Sequence, residues 1–120
     1  MNMVRKNTTQ VVCVAEFLAA EGKTEELMAA LHSLIQPTHR EHGCIRYELN
    51  QRTDDPRRIS FIEKWQDNEI FQKHCAMPYI KHFFDEVRPA LVDSFEVKLY
   101  ESMKRSFPSG LRPSLWTCFG

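Results

Sequence analysis

Apolar and polar positions change period several times along this chain, and each change marks an element. Val11 to Phe17 is a β-branched, apolar run of strand length. Gly22 and Thr24 punctuate the chain after it. Leu27, Met28, Leu31, Leu34 and Ile35 then recur at the spacing that makes one apolar face of a helix. Thr24 is placed to cap that helix, and Glu25 and Glu26 complement its dipole. Pro37 strains its end and Gly43 closes the segment. From Cys44 to Gln51 the period falls to two, with Ile45, Tyr47 and Leu49 facing away from Arg46, Glu48 and Asn50. Thr53-Asp54-Asp55-Pro56 is turn chemistry. Ile59 to Trp65 alternates again, with Ile59, Phe61, Glu63 and Trp65 opposite Ser60, Ile62 and Lys64. Two such runs joined by a short polar loop predict an antiparallel hairpin.

Asp67 is suited to cap a helix that runs to about Ala76, where Pro78 interrupts it. Ile80, Phe83, Phe84, Val87 and Leu91 resume a helical face, with Pro89 near its end. Phe95, Val97 and Leu99 alternate with Glu96, Lys98 and Tyr100 as a last strand. The order β-α-β-β-α-β predicts an α+β fold of the ferredoxin-like, split βαβ kind. Its helices cover one face of the sheet. Val11 to Phe17 is apolar on both faces, so a second copy is expected on the bare face, making a homodimer. The space between sheet and helices, widened by the kink at Pro78, is the expected pocket: apolar, aromatic and poor in polar groups.

Residues 10–103 read as the domain, 1–9 as a flexible lead-in and 104–120 as an irregular tail. In the tail Pro108, Gly110 and Pro113 forbid a long helix, while Leu111, Leu115, Trp116 and Phe119 are too apolar for solvent. That tail is expected to pack on a partner or over the pocket.

Composition narrows the function. With 120 residues there is room for one domain, and 42% hydrophobic with 27% charged residues excludes disorder for most of the chain. Lys+Arg 16 balances Asp+Glu 16, so no basic surplus invites nucleic acid or an anionic membrane. The longest apolar stretch, Val11 to Ala20, is far short of the ~20 residues that span a bilayer. The polar start MNMVRKNTTQ has no apolar signal core, which points to the cytoplasm. Cys13, Cys44, Cys75 and Cys118 form no CxxC pair, and the five histidines form no HExxH motif, so no metal is expected. A Gly-rich phosphate loop and a nucleophile elbow around Ser33, Ser60 or Ser94 are both missing.

Two titratable residues fall on apolar faces. His74 lies on the apolar side of the helix that Asp67 opens, either as a satisfied interior residue or as a base for a phenolic or enolic proton. Glu63 stands between Phe61 and Trp65, where a carboxylate must be paired or protonated. It is expected to orient His74, or else to bond a backbone amide or an arginine. Trp65, Phe71, Tyr79 and Phe83 are the aromatic residues expected to bind a flat substrate, and Tyr79 and His82 are the next candidates for acid/base work.

Four stretches carry a resemblance. Arg40-Glu41-His42-Gly43-Cys44-Ile45-Arg46-Tyr47-Glu48-Leu49 resembles the R-x-E-x-G-C-x-x-Y-x-L stretch of the antibiotic biosynthesis monooxygenase superfamily, one residue shorter between Arg40 and His42. Phe61-Ile62-Glu63-Lys64-Trp65 is similar to its F-x-E-x-W strand. Gln72 to Tyr79 resembles its x-x-H-x-x-x-P-[HY] segment, and Phe83 its following aromatic. The resemblance implies a dimeric α+β barrel and oxidation of quinols or aromatic polyketides by O2 without a cofactor. It brings His74 beside the cavity as the catalytic histidine. Related members degrade haem or isomerise a phosphorylated quorum-sensing signal. The haem branch uses an Asn and a Trp where this chain has Ala15 and His74, so no haem is expected; without a phosphate-binding loop or clustered ligands, no flavin or metal is expected either. The expected activity is therefore that of a quinol monooxygenase, with an isomerase of a small phosphorylated metabolite or a non-catalytic binding module as the alternatives.

Overall fold

In a computed structural model, residues 9–103 are described. Apart from Thr9, the expected lead-in and the whole of the expected tail lie outside the described residues. β1 is Val11–Ala19, α1 Thr24–His32, α2 Ile35–His39, β2 Cys44–Gln51 and β3 Arg58–Trp65. α3 is Asn68–Cys75 and α4 Pro78–His82. A π-helical turn over Phe83–Val87, α5 over Arg88–Leu91 and β4 over Val92–Glu101 complete the chain. The strands form one sheet in the order β2-β3-β1-β4, every neighbouring pair antiparallel. This is the ferredoxin-like α+β arrangement that the element order predicts.

Where the helices break is decided by proline. A continuous first helix would need an amide at position 37 to bond the Ser33 carbonyl, and Pro37 has none. The helix therefore stops at His32, with Ser33, four residues before the proline, as its C-cap. Ser33 Oγ donates to the Ala30 carbonyl at 2.6 Å, and α2 restarts at Ile35. Pro89 acts in the same way on the second helical segment. Position 89 cannot bond the Asp85 carbonyl, and the chain widens so that the Arg88 amide bonds the Phe83 carbonyl, five residues back. Thr24 is the first residue of α1 rather than its cap: Lys23 holds the cap position with no side-chain bond. Asp67 caps α3 as expected, its carboxylate accepting from the Ile70 amide at 2.9 Å.

β1 alternates as a two-sided strand. Val11, Cys13, Ala15, Phe17 and Ala19 are buried under the helices, and Val12, Val14, Glu16 and Leu18 are half-buried on the other face. In β2 the register against β3 shifts between Cys44 and Arg46, which makes Ile45 the extra residue of a bulge. Ile45 is consequently exposed, and only Tyr47 and Leu49 of its expected set face the core. β4 pairs Phe95, Val97 and Leu99 with Phe17, Ala15 and Cys13, yet on this edge strand the three stay 43–50% exposed. Among the described residues no helix is long and apolar enough to cross a membrane.

Candidate active site

Between the sheet and the helices lies a cavity with an empty volume of ≈ 460 Å³, its open mouth included. Its floor is the core face of the sheet, with Cys13, Ala15, Tyr47, Phe61 and Glu63. Its roof comes from Leu31 and Leu34 of α1 and its exit, Phe71 and His74 of α3, and Phe83 and Phe84 of the π-helical turn. Exposed Cys75 and half-exposed Val97 stand at the rim. No Lys or Arg is among the lining residues.

Strand alternation forces Glu63 onto the floor, where it is 5% exposed. Trp65 comes two residues later on the same face, and its indole Nε1 donates to Glu63 Oε1 at 2.9 Å. The Cys13 thiol also bonds this carboxyl. Burial outweighs both bonds and pushes Glu63 up from 4.5 to about 7, with the Glu41 charge adding to the rise.

His74 is 4% exposed, one helical turn beyond Phe71 on the buried side of α3. Its ring lies over Trp65 with centroids 4.4 Å apart and meets Tyr47 edge-on at 5.5 Å. Nδ1 stands 3.2 and 3.1 Å from the two carboxylate oxygens of Glu41. Burial lowers the pKa of His74 against the opposing bond and charge of Glu41, so the ring is neutral at pH 7. A neutral ring that donates its Nδ1 proton to Glu41 carries a lone pair on Nε2. Nε2 has no hydrogen-bond partner among the described residues.

Glu41 comes from the turn between α2 and β2. There Gly43, at φ 86°, lets the backbone pass so close to α3 that a Cβ would sit 2.6 Å from Ile70 Cγ2. The Tyr79 hydroxyl donates to the same carboxylate and lies 3.1 Å from Thr38 Oγ1.

His74, Glu63, Phe71 and Phe83 thus meet at one cavity, as the sequence leads one to expect. Three expectations change. Glu63 does not orient His74: the indole two residues along its own strand takes its carboxyl, and the carboxylate on Nδ1 is that of Glu41. Trp65 is wholly buried behind His74 and lines no part of the cavity. Tyr79 faces a separate depression with Pro37, His82 and Val87, its hydroxyl turned to Glu41, so neither it nor exposed His82 reaches the cavity. Sequence reasoning misses Glu41 and the Tyr47–Phe61 stack, whose centroids are 4.2 Å apart. Glu41 lies within the same Arg40–Leu49 stretch that carries the resemblance, and that is the signal that could have found it. Among the described residues no group of three or more His, Cys, Asp or Glu side chains could hold a metal ion.

Residues 10–86, the stretch that builds this cavity up to the π-helical turn, match the antibiotic biosynthesis monooxygenase family. The chain belongs to that family. A Shewanella oneidensis protein of known crystal structure is 56% identical, covering 80% of this chain and 93% of its own, with a TM-score of 0.78. A Pseudomonas aeruginosa protein of known crystal structure is 25% identical over 82% of this chain and 99% of its own, with a TM-score of 0.76. An uncharacterized Synechocystis protein is 25% identical over 91 residues, which is 76% of this chain and 62% of the relative. The chain therefore spans less than two thirds of that relative's length. Within this antibiotic biosynthesis monooxygenase domain, Ala15 and His74, the two positions set against haem degradation, both line the cavity.

Proposed function

We propose that this chain is a cofactor-independent monooxygenase, acting as a homodimer, that oxidises a quinol or a similar electron-rich aromatic with O2. The observation that carries the reading is a buried, neutral imidazole on the wall of a largely apolar cavity, its Nδ1 on a carboxylate and its Nε2 unpaired. Nε2 of His74 takes the proton of a substrate hydroxyl, and the resulting phenolate is a far better electron donor to O2 than the phenol. Recombination of the two forms a C–O bond to a ring carbon. Loss of water then leaves a quinone. One oxygen atom enters the product, the other leaves as water, and the substrate supplies all four electrons. A dry, aromatic enclosure suits the charged and radical species on this path because it excludes competing reactions with solvent. Phe71 and Phe83 supply flat walls for the ring.

The absence of Lys and Arg from the lining weighs against a phosphorylated substrate, which would need a cation to replace its hydration. Half-buried Val12, Val14 and Leu18 of β1 and exposed Tyr100 of β4, on the face the helices leave bare, support a second copy as their cover. An oxygen electrode with a series of quinols tests the function. Wild-type protein should consume O2 above the autoxidation rate, and His74→Ala should lower kcat on the order of 10²–10⁴-fold, with ligand affinity within a few-fold. Quinol binding without O2 consumption would make the chain a binding module. Full activity in folded His74→Ala would return His74 to a structural part.

A further inference from the structure

We propose that Glu41 is the residue that positions His74, and that the Tyr79 hydroxyl holds Glu41 for that task. This rests on the reading of His74 as the base. A carboxylate whose side chain is only 8% exposed must be matched by donors, and a purely structural one is usually met by an arginine or by backbone amides. Among the described residues Glu41 has no Lys or Arg within ion-pair distance. Its donors are the imidazole of His74 and the phenol of Tyr79. Tyr79 is in turn fixed by Thr38, which is fully buried on α2. The chain Thr38–Tyr79–Glu41–His74 therefore links α2, α4, the turn before β2 and α3, and it ends at the cavity. Both carboxylate oxygens lie at nearly equal distance from Nδ1, so the ring can keep its bond while Tyr79 holds one oxygen.

The arrangement has a definite chemical consequence. With Nδ1–H committed to Glu41, the neutral ring has one tautomer, and the lone pair must sit on Nε2. Glu41 also offsets part of the effect of burial, which would otherwise leave His74 a weaker base. Other titratable groups pack near the ring but do not replace this bond. Glu63 is held by Trp65 and Cys13, Tyr47 meets the ring with its edge, and Cys75 is at the rim.

Nitrogen-15 NMR of the His74 ring tests this without any substrate. The wild-type protein should show the Nδ1–H tautomer, with Nε2 unprotonated. Glu41→Leu removes the acceptor at similar size and should move the population toward Nε2–H. Glu41→Gln keeps an acceptor and loses the charge. It should retain the tautomer, move the Nδ1 proton resonance upfield and lower the pH at which the ring titrates. Tyr79→Phe removes a donor from the carboxylate and keeps its charge, so it should retain the tautomer with a smaller shift of the Nδ1 proton resonance. In turnover, Glu41→Leu should lower kcat on the order of 10²-fold with KM within a few-fold, and Glu41→Gln should recover part of the loss. An Nε2–H tautomer in the wild type, or an Nδ1 proton resonance unmoved in Glu41→Gln, overturns the assignment whether or not the variants turn over. Inactive wild-type protein with the expected spectra would instead defeat the functional reading and leave the positioning intact.

Discussion

Replacing Glu63 by glutamine should change how the stability of this protein depends on pH. Glu63 is 5% exposed and its carboxyl is pushed from 4.5 to about 7, chiefly by burial. Below pH ~4.5 the group is neutral in the folded and unfolded chains alike and burial costs it little. As pH rises toward 7 the unfolded chain releases its proton while the folded chain keeps it. Above that, both are ionised and the folded state holds a desolvated anion. The folded value is the raised one, so stability is present at low pH and lost as pH rises through the folded pKa. At about 1.4 kcal/mol per pH unit, the interval from 4.5 to about 7 corresponds to about 3 kcal/mol. Glutamine keeps the acceptor for Trp65 and has no charge to bury. The difference in unfolding free energy between wild type and Glu63→Gln should therefore move in favour of the variant by about 3 kcal/mol between pH 4 and 8. His74 contributes a slope of the opposite sign, since its lowered pKa removes stability as pH falls, but it is common to both proteins and cancels. Urea titrations at fixed protein concentration would read this as a relative midpoint shift of about 1–3 M. A difference that stays flat across that range would mean that Glu63 is solvated, and the dry cavity floor would go with it.

Two further outcomes are set by the local geometry. Gly43→Ala should cost about 2–4 kcal/mol, part from the left-handed backbone and part from displacing Ile70, measured by denaturant unfolding; adding Ile70→Ala should remove the steric part alone, and a loss under about 1 kcal/mol would contradict both contributions. Cys75 has its thiol pKa raised by burial first and then by the charges of Glu63 and Glu41, so Glu63→Gln should speed its alkylation by iodoacetamide at pH 8, followed by peptide mass mapping. A rate that is unchanged or slower would remove Glu63 from that environment.

Much of this architecture is legible in the sequence because the deciding interactions are local. The alternation of β1 and β3, the capping of α3 by Asp67 and the inward side of His74 each depend on residues a few positions apart. Prolines are harder to place: Pro37 and Pro89 act on the carbonyls four residues before them, so the breaks lie upstream of the residue that causes them. The bulge at Ile45 leaves no mark, since Ile45, Tyr47 and Leu49 keep a perfect alternation while the partner strand fixes which of them face the core. The His74–Glu41 pair joins residues 33 apart on separate elements, beyond any periodicity. Glu63 is the partner that the pattern suggests because it shares the core with His74, but Trp65 is two residues away on the same strand face and reaches it first.

Turnover under oxygen-18 gas tests the central claim most directly, namely that substrate is oxygenated by O2 in the cavity that His74 lines. With a quinol that supports oxygen uptake, the wild-type protein should release a product carrying one labelled atom, with the other label in water and no added cofactor. Folded His74→Ala should yield less labelled product on the order of 10²-fold or more. An unlabelled product, hydrogen peroxide released in equal amount to the quinol consumed, or equal labelling by His74→Ala would contradict it.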